Sequence, residues 1–360
     1  MELNMSIVLP KLSSQPSYEL SSKNKKLHDF LHNRVLSLSI RDHLDTFIDE
    51  LTLSFDNRSF KANLFIPPPD FGKTLELKLG YPPLLTDMGS FYIDSLNVAT
   101  PPSTLNITAK SINLLKGFLD KKTETWKNKN EEEEEEKKIA DVIKSIAKKY
   151  QLSTEIGECY QAVPLQEYQY VESDIHFLSR LAKQYNAYFK IKQNKIIFKE
   201  YDNLKKDIKN KFPIILDNSN IISCQVEKQE ADNYHSVLAY WYDYDSASYC
   251  LETYPSGPEN SEKIKSNIKI TASNKKFTIR EIFSLKEEAH YAAKAKYRQL
   301  ARNKQIINLK CIGDSNLSTG KTLQLVGLQN EINSDWIIKH INHNYNASGF
   351  TTTINAYRFN

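Results

Sequence analysis

Apolar positions along this chain follow two rhythms, and the change from one to the other is sharpest between Ser173 and Tyr201. Phe177, Leu178, Leu181, Ala182 and Tyr185 form the stripe of an amphipathic helix packed on a neighbour, with Ser173 placed as its N-cap. After Asn186 the period drops to two. Phe189 and Ile191 take one face and Lys190 and Lys192 the other; Gln193-Asn194 reads as a turn, and Ile196 to Phe198 as the returning strand. The stretch predicts a helix running straight into a hairpin, with no nucleophile, metal-ligand or phosphate-cradle spacing in it.

Upstream, from Val35 to Ala109, the alternation is that of strands: Leu51, Leu53 and Phe55, then Leu75, Leu77 and Leu79, then the stretches GSFYIDSLNV and LNITA. Pro67-Pro68-Pro69, Pro82-Pro83 and Pro101-Pro102 fall in the gaps, as expected of a residue that cannot donate to a ladder. Between Trp126 and Ile139 lies a run of six glutamates, Glu131–Glu136, which cannot be buried and marks a boundary. Ile139, Val142, Ile143, Ile146, Ala147 and Tyr150 then share one face of a further helix.

From Ile221 onward strands return, in SVLAYWYDYD, KITAS, KKFTIREIF, QIINLKCI, KTLQLVGL, WIIKHINHNY and GFTTTINAY. One helix interrupts them: Ser284 to Glu287 has the spacing of a capping box, with Ala289, Ala293, Tyr297 and Leu300 as the stripe behind it. The prediction is an α+β chain of three parts: a β domain over 1–118, a mixed, helix-bearing middle domain over 119–212, and a second β domain with one helix over 213–360.

Composition narrows the classes without naming one. Lys and Arg total 48 against 44 Asp and Glu, a formal charge of +4 spread over 360 residues, which is far from the concentrated basicity of a dedicated nucleic-acid binder. Lys199 to Lys211 carries five lysines against three acids, and a solvated linker accounts for it. Cys159, Cys224, Cys250 and Cys311 are scattered, without the spacing of a zinc site or a disulfide framework, and suit a reducing compartment. No signal peptide or membrane-spanning run is read from the sequence.

Candidate chemistry fails on spacing. Gly313 to Thr322 (GDSNLSTGKT) has six residues between its glycines where a P-loop needs four, and β residues follow it instead of a helix. Asp70 to Thr74 (DFGKT) lacks the other kinase signatures. His340 and His343 are three apart in a strand, which sends them to opposite faces and argues against one shared metal. Asp243 and Asp245 share a face and could hold a cation, or line a sugar site with Trp241; a strand end entering a polar loop explains them more simply. The expectation is therefore no catalytic, cofactor-binding or metal-ligating residue, no cofactor, and no enzymatic activity.

Several segments, in order, are similar to one family. VLSLSIRDHLDTFIDELTLSFDN, GKTLELKLGY, MGSFYIDSLNVATPPSTLNITAKS, KTETW, IADVIKSIAKKYQL, ESDIHFLSRLAKQYNAYFKIKQNKIIF, YHSVLAYWYDYDSA and WIIKHINHNYNASGFTTTINA resemble the phage late control protein D family, the baseplate hub of contractile tails, which is related to the hub part of type VI secretion VgrG spike proteins. The resemblance runs from about residue 35 to the end, and the segment around Ser173–Phe198 is the most specific. The glutamate run departs from the family pattern. The resemblance implies two β-barrel-like hub domains per subunit and a homotrimer that joins a hexameric tail tube to a spike. Because the chain stops at Asn360, that spike is expected to be a separate protein. The tape measure protein is a further candidate partner, with no membrane and no specific nucleic acid. It also implies synthesis in the bacterial cytoplasm and a final place in a virion tail or injection particle. The competing expectation is a peptidoglycan-acting enzyme or cell-wall sugar-binding module built on the YWYDYD region; a nucleic-acid-binding protein is the weaker third.

Overall fold

A computed structural model describes residues 15–22, 25–26, 31, 33–44, 48–58, 65–113, 117–126, 137–165, 167–201, 213–228, 234–255, 275–302 and 304–358. The glutamate run, the KITAS stretch and most of the Lys199–Lys211 stretch lie outside the described residues.

The first β segment comprises β1 (Ser17–Ser22), β2 (Lys25–Lys26), β3 (Val35–His43), β4 (Glu50–Asp56), β5 (Thr74–Tyr81), β6 (Leu84–Ala99) and β7 (Thr104–Lys110). Strict alternation puts Leu51, Leu53 and Phe55 of β4 and Leu105, Ile107 and Ala109 of β7 on one buried face. Leu38 and Ile40 of β3 and Leu75, Leu77 and Leu79 of β5 complete that core. Each fully buried leucine contributes about 1.5–3 kcal/mol relative to exposure, so the alternation itself holds the register.

The middle segment contains β8 (Lys121–Trp126), α1 (Ile139–Lys149), β9 (Ser153–Ile156), β10 (Glu167–Ser173), α2 (Asp174–Gln184), β11 (Ala187–Lys192) and β12 (Lys195–Glu200). β8 pairs with β10, while β11, β12 and β9 form a separate three-stranded sheet. The Ser173 hydroxyl accepts from the His176 amide at 3.3 Å and caps α2 as expected. Gln193 and Asn194 both take positive φ, 50° and 59°, the geometry of a type I′ hairpin turn. Ile139, Ile143 and Ile146 of α1 meet Phe177, Leu178 and Leu181 of α2 over Phe189, Ile191, Ile196 and Phe198 of the hairpin.

The last segment holds β13 (Ile214–Leu216), β14 (Ile221–Lys228), β15 (Ser236–Asp243), β16 (Ser248–Tyr254), β17 (Lys276–Phe283), α3 (Lys286–Arg302), β18 (Gln305–Ile312), β19 (Thr322–Leu325), β20 (Asp335–Asn346) and β21 (Gly349–Arg358). β15, flanked by β16 and β17, lays Val237 and Ala239 against Ala289, Ala293 and Leu300 of α3. The helix α3 begins one residue later than a capping box at Ser284 to Glu287 predicts. The helix begins at Lys286, and it is the carboxylate of Glu288, not that of Glu287, that accepts backbone hydrogen bonds from Leu285 and Ser284.

The protein is mostly β with three helices among the described residues, an α+β mixture as expected. The barrel expectation is not met as closed sheets. One 13-stranded sheet runs β14-β18-β21-β20-β3-β4-β7-β6-β5-β1-β2, with β13 and β19 attached beside β20, and among the described residues its two ends do not pair. The reason lies in β20. One edge of it pairs with β21; the other gives Asp335–Ile337 to β19 and His340–Asn346 to β3. An edge that could have closed its own half instead fastens the last β segment to the first.

Candidate functional site

The most constrained polar constellation lies where the three segments meet. Lys190 projects from β11 of the hairpin, on the face opposite Phe189 and Ile191, and is almost completely buried. It donates a short hydrogen bond to Asp42 of β3 and sits 2.8 Å from Asp49, just before β4. Thr319, in the loop ahead of β19, donates its hydroxyl to Asp42 at 2.6 Å. Lys192 stands 3.6 Å from both aspartates at the rim. Two lysines and two carboxylates thus balance, with one member from the middle segment gripping both β segments.

The electrostatics follow from that geometry. Burial would push the Asp42 carboxyl up, but Lys190 and Lys192, with hydrogen bonds from Lys190 and Thr319, outweigh it and hold Asp42 well below the usual range. Asp49 goes the other way, to about 6, because burial and the neighbouring Asp42 charge exceed what the lysines return. Burial opposes the charge on Lys190, yet Asp42 and Asp49 keep its pKa raised. A lysine held charged at neutral pH is neither a general base nor a Schiff-base nucleophile, so Lys190 serves to clamp the two carboxylates.

A second network fixes the middle segment internally. Asp174, the first residue of α2, is fully buried and accepts from Lys122 of β8, from the Tyr150 hydroxyl at 2.8 Å and from Gln169 Nε2 at 3.0 Å. Gln169 Oε1 in turn accepts from the Trp126 indole at 3.0 Å. Four elements are locked by one carboxylate.

The residues singled out for chemistry are put to structural use. His343 is buried, its ring bonded to Thr352 Oγ1 and to the Leu317 carbonyl, and burial pushes it down to about 4, so it stays neutral. His340 instead meets His43 across the β3–β20 seam, Nδ1 to Nδ1 at 2.7 Å. The two histidines do not converge. Asp243 spends its carboxylate on the amide of Asp245 and the hydroxyl of Ser246, closing the turn after β15. Gly313 follows β18 where a Cβ would come within 2.1 Å of the Phe350 ring, so that glycine answers a packing need. Burial pushes the thiol of Cys311 up to about 12, far from nucleophilic at neutral pH. No helix among the described residues is long and apolar enough to cross a membrane. Sequence reasoning placed Lys190 on its correct face but gave no sign of Asp42, Asp49 and Thr319, which come from 129 to 148 residues away.

Comparison with known proteins agrees with this scaffold-like character. The curated "Probable baseplate hub protein" of Escherichia phage 186 is 23% identical over 379 residues, covering 94% of this chain and 92% of its own. Its namesake in Escherichia phage P2 is 20% identical over 383 residues, with the same coverage. Among solved structures, the 43 kDa tail protein of prophage MuSo2 from Shewanella oneidensis superposes with a TM-score of 0.64 at 13% identity, covering 95% of this chain and 98% of its own. The E. coli c3393 protein, described as a type VI secretion component similar to phage T4 tail proteins gp27 and gp5, gives 0.52 at 11% identity over 95% of this chain and 77% of its own. At such identities the structural likeness establishes the fold. The relatives are structural tail proteins, not enzymes. The family model described as the Alg8 N-terminal domain matches residues 61–347, so the chain belongs to that family, and over nearly its whole length it is similar to the curated baseplate hub proteins.

Proposed function

We propose that this chain is the structural baseplate hub of a contractile phage tail or of a tail-like injection particle. In this reading three copies close into a ring that adapts a hexameric tail tube on one side to a separate trimeric spike on the other, with the tape measure protein as a further neighbour. The chain is made in the bacterial cytoplasm and ends in the baseplate. The observation that carries the proposal is the β3–β20 seam. It fastens two β-rich segments edge to edge within one chain, so that three copies present six such units. We assign the segments as hub domains over 1–118 and 213–360 with a middle domain over 119–212, the middle domain bracing the two through Lys190. No catalytic, cofactor-binding or metal-ligating residue takes part.

The cell-wall enzyme reading has less support, since Asp243, its leading acid, is committed to its own turn. Native mass measurement of the purified full chain tests the proposal: a particle of three chains is expected. A monomer that cleaves peptidoglycan unaided would end it.

A further inference from the structure

Between α2, α3, β11 and the paired strands β20 and β21 lies a cavity of about 240 Å³, far more than the ~10–15 Å³ a single water requires. Its polar wall is one-sided. Lys183, Arg302 and Lys339 line it with Asn186 and Gln299, and among the described residues no carboxylate does. Phe189 and Tyr201 supply an apolar wall, and the Arg302 guanidinium stacks 4.0 Å from the centre of the Tyr201 ring.

Asn186 is the informative residue. It is 5% exposed, and its Oδ1 accepts from Arg302 Nη1 at 2.7 Å. A guanidinium can only donate, so the orientation of the amide is fixed and Nδ2 must be the group left over. Among the described residues that buried Nδ2 has no hydrogen-bond partner. A buried amide donor without an acceptor costs about 1–3 kcal/mol, and here it lines a cavity whose charged groups are all cationic. The surroundings extend the same sign. Lys183 and Gln299 also line an adjoining groove with Lys275, Lys276, Arg280 and Lys296, where Glu281 is the one acid lining it among the described residues; Arg180, also on its wall, is paired with Glu167 and Glu172.

We propose that this cavity is an oxyanion site that takes a phosphate group, free or as a small organic phosphomonoester. Arg302 and Lys339 supply the charge and Asn186 Nδ2 the neutral donor. A guanidinium, an ammonium and an amide N–H converging on one space match the acceptor oxygens of phosphate. Phe189 and Tyr201 leave room for the organic part of an ester. The site bridges the middle segment and the last β segment, so occupancy stabilises their contact. It does not depend on the hub assignment.

The test is calorimetric titration of the full chain with sodium phosphate against sodium chloride at matched ionic strength. Saturable binding with one phosphate per chain is expected. Asn186→Asp keeps an acceptor for Arg302 and suits the positive φ of 54° at this position, yet replaces the donor by a like charge. Lys339→Gln removes a cation from the opposite wall without touching that turn. Both should weaken phosphate at least tenfold while the chain still unfolds cooperatively in chloride. Glycerol 3-phosphate binding more tightly than phosphate would identify an ester as the ligand, and weaker binding would identify the free anion. Absence of saturable binding to the unaltered chain, or full affinity in both variants, would overturn the site.

Discussion

At the scale of single residues, the structure assigns large consequences to groups whose sequence context looks ordinary. Lys190 is one lysine in an alternating strand, and a period of two correctly sets it opposite Phe189. That its face is buried depends on Asp42, Asp49 and Thr319, which no local pattern brings near. Lys190→Met should therefore destabilise by about 3–5 kcal/mol in urea unfolding, because two carboxylates are left buried together with only the rim lysine, Lys192, near them. Adding Asp42→Asn and Asp49→Asn to it should recover part of that loss; no recovery would mean that packing, not charge, is what the lysine supplies. Glu288 offers a pH test. Burial, with Glu167 adding to it, raises its carboxyl to about 7 against an ordinary 4.5. The folded state then holds the proton more tightly than the unfolded one, so this group's contribution to stability is full at low pH and is lost as pH rises from about 4.5 to 7. Glu288→Gln keeps an acceptor for the α3 terminus and should be more stable than the unaltered chain at pH 8 by roughly 1–2 kcal/mol, the advantage vanishing near pH 4.5. Equal pH dependence of the two melting curves would refute the assignment.

At the scale of elements, local rules were sufficient wherever the partner lay nearby in sequence. The hairpin turn is one such place: Gln193 carries a φ of 50° that asparagine tolerates better than glutamine does and a β-branched residue hardly at all. Gln193→Asn should gain about 0.5 kcal/mol and Gln193→Ile should lose about 1–2 kcal/mol, read from chemical denaturation midpoints. Ser173, the α2 stripe and both hairpin strands were legible for the same reason. Where the signal was short or mixed, it failed. β16, SYCLETY, has no clean alternation, because Tyr249 and Leu251 put apolar side chains on the open face of its sheet while Glu252 lies on the face toward α3. The α3 helix starts at Lys286, and Glu288 of its first turn is buried while Glu287 is exposed. Barrel closure could not be read at all, since whether β20 pairs within its own segment or with β3 is decided by strands some 300 residues apart.

At the scale of the whole molecule, the question is whether three segments, whose apolar cores are largely their own and meet in a small cluster of Leu44, Tyr201, Ile337 and Tyr357, behave as one body. The β3–β20 seam joins two of them through backbone hydrogen bonds, whereas the middle segment has its own sheets and reaches the β segments through side chains, Lys190 foremost. The three tryptophans are placed to report on this. Trp126 stacks on Phe177 in the middle core, at 6.0 Å between ring centres, while Trp336 is fully buried in the core beneath β18–β21. Variants retaining only Trp126 or only Trp336, with phenylalanine at the other two positions, would follow the two bodies separately by fluorescence. If the charge cluster is the brace, both should unfold at one denaturant midpoint, as cooperative coupling requires. Adding Lys190→Met should split them, with the Trp126 signal lost first, because a middle segment without its grip on Asp42 and Asp49 keeps its own core but no longer shares the stability of the long sheet. Two distinct midpoints before any change at Lys190 would show that the middle segment is a passenger. The bracing role would then have to be given to another contact, such as the Arg302–Asn186 hydrogen bond between α3 and the start of β11.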